Sequence, residues 1–381
     1  MKIAFVYDVI YPFVKGGVEK RVWELARRLT ARGHEVHIFG MKYWDGDETI
    51  VKEGVILHGV CPAKNLYAHG RRAVWEALYF AMHLIHPLAK ERFDLIDCQQ
   101  FPYIPSIPVR FLSIVRKTPL VITWHEVWGD YWKEYLGYKG WFGKAIERYI
   151  ASFGSTVISV SSTTSTRFRK EFGRHPDSII PNGIDTANLK SVSPSPVKSD
   201  LIFVGRLIKE KNARLLVQAL SILISDHPDI QLIILGDGPE RDMIRSQVRD
   251  LSLERNVTII GFQENHDVVI ALMKSSKVFV LPSTREGFGI AALEALGCGL
   301  PIVTINHPAN AICDMITEKT GVICAPTPED LARGMRDAFQ HHEQMRDACR
   351  ASADAYEWNR IVDQAEHYYQ TLIDPKIRPN R

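Results

Sequence analysis

The six cysteines (Cys61, Cys98, Cys298, Cys313, Cys324 and Cys349) form no CxxC pair and no spacing of the kind found in zinc fingers or disulfide scaffolds. This excludes a cysteine-stapled domain, and free thiols in a reducing cytosol are expected. No apolar run reaches the roughly 20 residues that span a bilayer; the most apolar helical stretch, 73–89, is interrupted by Glu76, His83 and His86. A signal-peptide core is missing too, because Lys2–Tyr7 is a short buried-strand pattern without a small-residue cleavage site. A cytoplasmic protein is expected, at most touching the inner face of a membrane. Charge of one sign is not in large excess: 47 Lys and Arg against 44 Asp and Glu give +3, with 26 against 19 in residues 1–190 and therefore +7 there and −4 in the remainder. So modest an excess lacks the dense basic stripe of a nucleic-acid binder, but it suits an anionic small substrate or a lipid surface. No GxGxxG follows a strand, which argues against a nicotinamide dehydrogenase, and no short-period repeat appears.

What is present points to an α/β protein. With 381 residues, 46% of them hydrophobic, the chain is long enough for two domains and apolar enough to bury their cores. Short apolar runs (Ile3–Tyr7, Val36–Phe39, Leu95–Asp97, Leu120–Thr123, Thr156–Val160) alternate with longer helical patterns, as βαβ units of a buried parallel sheet do. A Ser/Pro-rich stretch at 191–200 reads as a linker. A second series follows: Leu201–Val204, Ile230–Leu235, Val257–Ile260, Val278–Leu281 and Ile302–Thr304. The expectation is two doubly wound domains, each binding ligands beyond the carboxyl ends of its strands.

Several constellations sit at such ends. After the first strand, Gly16-Gly17 opens a helix whose apolar positions Val18, Val22, Leu25, Ala26 and Leu29 keep the 3.6-residue period. Two glycines there let backbone N–H groups approach an anion, or simply make a tight turn. Gly205-Arg206 with Lys211 and Asn212 places cations ahead of a helix, as a diphosphate clamp or as a solvated basic turn. In Leu281-Pro-Ser-Thr-Arg-Glu286-Gly-Phe-Gly289-Ile290-Ala-Ala-Leu-Glu294, a Gly-containing turn leads into an Ala/Leu-rich helix, with Glu286 before the helix and Glu294 inside it. Were the stretch helical throughout, Glu286 and Glu294 would stand about 12 Å apart along the axis, near the span between the ribose and the hexose of a nucleotide-sugar. The alternative is a dipole-favoured Glu and an ordinary surface Glu. His125, just past a strand end, could polarise a substrate or pack in its loop. Asp45-Gly-Asp47 is a carboxylate pair of the type that holds a divalent ion, but it lies in a polar loop without a leading strand, and no metal is expected.

The ordered set of these residues, together with Ile180-Pro-Asn-Gly183-Ile-Asp185, Leu235-Gly236-Asp237-Gly-Pro-Glu240 and Leu281-Pro-Ser, resembles the retaining glycosyltransferases of family 4 (GT4, group 1) over most of the chain. The resemblance implies a GT-B fold, two Rossmann-like doubly wound domains facing across a cleft. It implies an N-terminal acceptor-side domain (1–190), a linker (191–200), a C-terminal donor domain (201–357) and a closing helix (358–381) that crosses back to the first domain. The implied donor is a nucleotide-diphospho-sugar, and the implied acceptor is a glycan, a lipid-linked molecule or a small molecule. Arg206 and Lys211 would meet the diphosphate, Glu286 the transferred sugar and Glu294 the ribose. His125 would complete the catalytic set, with Gly16, Gly17, Gly205, Gly236, Asp237, Gly289 and Ile290 among the donor-binding residues. No metal or other cofactor is implied and no protein base is assigned, because a phosphate oxygen of the donor helps take the acceptor's proton. After Ile302–Thr304 the family often carries Gly-rich residues and a Glu where this chain has Asn306-His-Pro-Ala-Asn310-Ala, which leaves the sugar open. Aromatics interleaved with lysines over Tyr131–Lys144 read as an interfacial membrane segment or as a loop folded over the core. A nucleotide-sugar epimerase of the same architecture and a silent nucleotide-sugar-binding protein are the competing functions.

Overall fold

The structure is a computed structural model and describes residues 1–64, 67–68, 71–72 and 74–374. Its elements run β1 (Lys2–Val6), α1 (Gly17–Ala31), β2 (Glu35–Lys42), β3 (Thr49–Lys52), β4 (Val55–Pro62), a two-stranded ribbon of β5 (Tyr67–Ala68) and β6 (Arg71–Arg72), α2 (Val74–Ala89), β7 (Leu95–Gln99), α3 (Ser106–Arg116) and β8 (Leu120–Trp124). There follow α4 (Tyr131–Leu136), α5 (Gly140–Ala151), β9 (Thr156–Ser159), α6 (Ser162–Phe172), β10 (Ser178–Ile179) and α7 (Thr186–Ser191). The remaining elements are β11 (Leu201–Val204), α8 (Ala213–Leu223), β12 (Leu232–Leu235), α9 (Arg241–Asp250), β13 (Val257–Ile260), α10 (His266–Lys274), β14 (Val278–Val280), α11 (Ile290–Cys298), β15 (Ile302–Ile305), β16 (Gly321–Cys324), α12 (Pro328–Asp354) and α13 (Trp358–Ile373).

The chain divides into two compact units: Met1–Asn182 together with the chain from Trp358 onward, and Gly183–Glu357. In the first, the sheet order is β10-β9-β8-β7-β1-β2-β4-β3. All neighbours pair in parallel except the β3–β4 hairpin. Alternate residues face opposite layers, as the two-residue pleat requires. Ala4, Val6, Ile96 and Ile122 pack with α2, α3, α5 and α6, whereas Ile3, Phe5, Leu95 and Val121 pack with α1 and α13. The hairpin turn, Glu53-Gly54, has both residues at positive φ (49° and 79°). That is the two-residue turn whose twist suits paired strands, and its Glu in place of Asn or Asp hides the hairpin from a sequence reading. The closing helix is tied to the same sheet by Tyr369, whose hydroxyl donates to Asp97 Oδ2 at 2.6 Å. Residues 375–381 of the expected closing segment, and Ala73 of the apolar stretch, lie outside the described residues.

The second unit has one parallel sheet, β13-β12-β11-β14-β15-β16. In chain order this is 3-2-1-4-5-6, the doubly wound order, with its reversal between β11 and β14. The same order runs through β4-β2-β1-β7-β8-β9 of the first unit, reversing between β1 and β7. The Ser/Pro-rich stretch expected as a linker hydrogen-bonds within the second unit: the Ser195 amide donates to Ala271 O at 3.0 Å, and the hydroxyls of Ser199 and Ser276 stand 2.8 Å apart. The unit itself begins earlier, at Gly183.

Candidate functional site

In the second unit, the loops leaving β11 and β14 flank the topological switch. Beyond β11, Gly205 and the exposed Arg206 lead into a short 3-10 turn, Lys209–Lys211. Beyond β14, the backbone N–H of Thr284 donates to Glu210 O at 2.9 Å, locking the two loops together. Lys211 Nζ and the Glu286 carboxylate form an ion pair, each largely shielded from solvent. The Arg206 guanidinium has no such counter-ion among the described residues. Glu286 is not on the helix: α11 begins at Ile290, with Gly289 in the left-handed conformation (φ 91°) as its N-cap. The helix ruler of about 12 Å between the two carboxylates therefore does not apply. A Cβ at Gly289 would come within 2.7 Å of Ile312, so the position needs glycine on both conformational and steric grounds.

Glu286 is held instead by the loop after β15, its N–H donating to Ala309 O at 2.8 Å and its C=O accepting from Ala311 N–H at 2.9 Å. Buried Asn310 organises that loop, its Nδ2 donating to Thr304 Oγ1 and Ile305 O, both at 2.9 Å. The unusual Asn306–Ala311 segment is thus a built seat for Glu286. Glu294, on α11, is buried, and its Oε1 lies 2.9 Å from His266 Nε2, the first residue of α10. That is no surface glutamate. Gly236 (φ 145°) packs so closely that a Cβ would stand 1.9 Å from Gly205 O, while Asp237 is exposed and holds Gly238 N–H and Arg241, each at 2.8 Å.

In the first unit, Gly16 is an extended N-cap of α1, where a Cβ would come within 2.5 Å of the Glu19 carboxylate; Gly16 and Gly17 are both exposed at the carboxyl side of β1. His125 follows β8. Its Nε2 lies 2.8 Å from Gln99 Oε1, while Gln99 Nε2 donates to Asp97 Oδ1 at 2.9 Å. Because the amide nitrogen of Gln99 is committed to Asp97, its oxygen faces the imidazole, and His125 carries its proton on Nε2. Asp97 is buried and also accepts from Thr123 Oγ1 at 2.8 Å and from Tyr369. His125 Nδ1 is left as an acceptor without a partner among the described residues. Burial, with the Arg21 guanidinium nearby, pushes the His125 imidazole down to about 3. It is neutral at physiological pH and suited to accept a hydroxyl hydrogen bond.

One pH prediction follows. In the unfolded chain this histidine takes up its proton below roughly 6.5, so acidification from there towards about 3 favours unfolding. Turnover, in contrast, should show no His125 ionisation between about pH 6 and 8; a kcat/KM profile with a step near pH 6.5 that His125→Asn removes would contradict the assignment.

Asp45 and Asp47 lie exposed in the β2–β3 turn. Among the described residues, the group able to share a metal ion is His37, His58 and Glu91, which includes neither Asp45 nor Asp47 and has Lys2 paired to Glu91.

Two family models match the chain in succession: Glycosyltransferase Family 4 over residues 15–188 and Glycosyl transferases group 1 over residues 186–355. The chain belongs to the family 4, group 1 glycosyltransferases. This glycosyltransferase is 26% identical over 402 residues to a glycogen synthase of Mycobacterium tuberculosis, covering 97% of this chain and 94% of that protein. It is also 26% identical over 363 residues to a GDP-mannose-dependent alpha-(1-6)-phosphatidylinositol dimannoside mannosyltransferase of the same species, covering 91% and 90%. In fold, the transferase matches a sucrose-phosphate synthase from Thermosynechococcus elongatus with a TM-score of 0.78, at 20% identity over 97% and 98% of the two chains. It matches Anabaena HepE in complex with UDP-glucose with a TM-score of 0.73, at 20% identity over 97% and 100%. Both units of the transferase are Rossmann-like, as the GT-B fold requires. Sequence reading missed Gln99, Asp97 and His266, and met Asn310 only as part of the 306–311 segment that departs from the family pattern. None carries a local motif, and only strand register and loop packing bring them beside His125, Glu294 and Glu286.

Proposed function

We propose that this transferase seats its nucleotide-diphospho-sugar on the second unit, with Arg206 and Lys211 meeting the diphosphate, Glu294 the ribose hydroxyls and Glu286 the transferred sugar. The observation that carries the reading is the placement of Arg206, Lys211 and Glu286 on loops at the carboxyl ends of β11 and β14, the strands flanking the switch point, with Glu294 on the helix that follows. A nucleoside diphosphate departs readily when fixed cations and dipoles meet its growing charge. Arg206 and Lys211 supply the cations, and the free N–H groups of the first turn of α11, opened by Gly289 and Ile290, supply the dipole. With these in place the reaction needs no metal. The sugar is transferred with retention: the acceptor hydroxyl attacks from the face the diphosphate leaves, and a phosphate oxygen takes its proton, so no side chain acts as base. Neutral His125, on the first unit with Gly16 and Gly17, accepts a hydrogen bond from a substrate hydroxyl through Nδ1. The acceptor is a hydroxyl-bearing glycan, lipid-linked molecule or small molecule.

Glu294→Ala tests the donor seat. With the diol acceptor gone and His266 left without its partner, donor affinity measured by calorimetry should fall at least about tenfold, the worth of one charge-assisted pair of hydrogen bonds. Unchanged affinity would remove Glu294 from the site.

A further inference from the structure

The two helical layers of the first unit differ in what they expose. Among the described residues of that unit, twelve of the fifteen exposed large apolar side chains lie on α2, α3 and the α4–α5 segment, all packed on one face of the sheet, and none lies on α1 or α13 of the other face. On α2, Trp75 and Met82 belong to a stripe at spacings of three and four residues that covers one side of the helix. On α3, Phe111 and Ile114 form its counterpart, 63% and 59% exposed. The helices lie side by side with their carboxyl ends together, where Arg116 Nη2 donates to Ala89 O at 2.7 Å. Beyond them, Gly140 and Gly143 let α5 close on Trp132: a Cβ at Gly143 would come within 2.1 Å of that ring. This packing leaves Trp141 and Phe142 outside, stacked on each other at 3.6 Å between ring centroids. So many outward aromatics on one layer exceed the scattered apolar residues of an ordinary surface.

Charge selects the occupant. Across 74–89, 106–117 and 131–151 there are seven Lys and Arg against three Glu; Lys133, Lys144 and Arg148 are paired with Asp130 and Glu171 just outside these spans, which leaves Arg110, Arg116, Lys117 and Lys139. Of the three Glu, Glu76 and Glu147 are buried, so Glu134 is the exposed one. A protein partner's apolar face would not need this excess of cations over the exposed Asp130 and Glu134. An anionic bilayer offers both an apolar interior for the aromatics and phosphate for the cations. We infer that the α2–α3–α5 face of the first unit docks on the surface of an anionic lipid bilayer, the aromatic and aliphatic side chains entering the headgroup region and Arg116, Lys117 and Lys139 meeting lipid phosphates. No helix among the described residues is long and apolar enough to cross a membrane, so this is contact from one side.

The test is co-sedimentation of the full chain with phosphatidylcholine vesicles, with and without phosphatidylglycerol, at low and high salt. Binding is expected to the anionic vesicles and to weaken with salt. The surface variant Phe111→Ser/Trp141→Ser should bind at least about tenfold more weakly, with melting temperature and donor affinity unchanged. Arg116→Glu/Lys117→Glu should weaken binding to anionic vesicles alone. The inference is overturned by no sedimentation at low salt, by undiminished binding of Phe111→Ser/Trp141→Ser, or by a concentration-dependent dimer in sedimentation velocity that the same variant abolishes. Vesicle binding needs no turnover, so its failure and the failure of the transferase site are read separately.

Discussion

Arg206→Ala is expected to lower kcat by about two orders of magnitude or more, the scale of removing one preorganised charge-stabilising donor from a transition state. The residue sits at the carboxyl end of β11, exposed and without an ion-pair partner among the described residues, so its removal leaves no buried charge behind. Stability should stay within about 0.5 kcal/mol of the parent, as for an ordinary surface substitution. Lys211→Ala should lose rate on the same scale, with a difference that identifies the site. Lys211 is already paired with Glu286, and its removal strands a shielded carboxylate at the position proposed for the donor sugar. This variant should therefore lose thermal stability as well, and Lys211→Ala/Glu286→Gln should recover the stability without the activity. Arg206→Lys should recover only part of the rate, because an ammonium lacks the guanidinium fork that grips a diphosphate. Turnover near the parent value in both alanine variants would refute the clamp.

Glu147→Leu should destabilise the first unit by about 3–5 kcal/mol, the cost of breaking a buried charged network from one side. Its carboxylate, fully buried on α5, accepts from Trp128 N–H at 2.7 Å, Gly129 N–H at 2.8 Å, the Tyr103 hydroxyl at 2.8 Å and Trp132 Nε1 at 3.1 Å. A leucine leaves four donors unmet, each with its desolvation cost. These donors hold the loop just after His125, so the variant should also lose turnover in excess of its unfolded fraction. Chemical denaturation followed by tryptophan fluorescence reads the effect, since Trp128 and Trp132 are part of the network. A loss under about 1 kcal/mol would mean that water or the backbone replaces the carboxylate.

Both expectations rest on groups of unequal legibility in the sequence. Strands such as Leu201–Val204 and Val257–Ile260 are readable because a parallel strand buried on both faces is continuously apolar, and the structure places them at those residues. Glycine was informative where geometry demands it: Gly236 permits the β11 and β12 loops to cross, and Gly289 starts α11. The β3–β4 hairpin escaped because Glu53 is an uncommon residue at positive φ. Glu286 reads as a turn residue ahead of the helix and Glu294 as one inside it, and α11 does begin between them, at Ile290; the span of about 12 Å between the two carboxylates needs an unbroken helix and is not legible. Glu147 reads as one more charge in an amphipathic segment. Its burial is decided by Tyr103, 44 residues away, and no local pattern reports such a partner. The Asp97–Gln99–His125 chain is hidden for the same reason, its members separated in sequence and joined by the register of β7 against β8.

The central claim is that the cations and helix dipole beyond β11 and β14 activate a nucleotide-diphospho-sugar without metal. Incubating the purified protein with UDP-, GDP- and ADP-sugars, with and without EDTA, and quantifying both nucleoside diphosphate and recovered donor tests it directly. The account predicts slow nucleoside diphosphate release from one donor, insensitive to EDTA and lost in Arg206→Ala. Release that EDTA abolishes, or conversion of the donor to an isomer with its diphosphate intact, would contradict it.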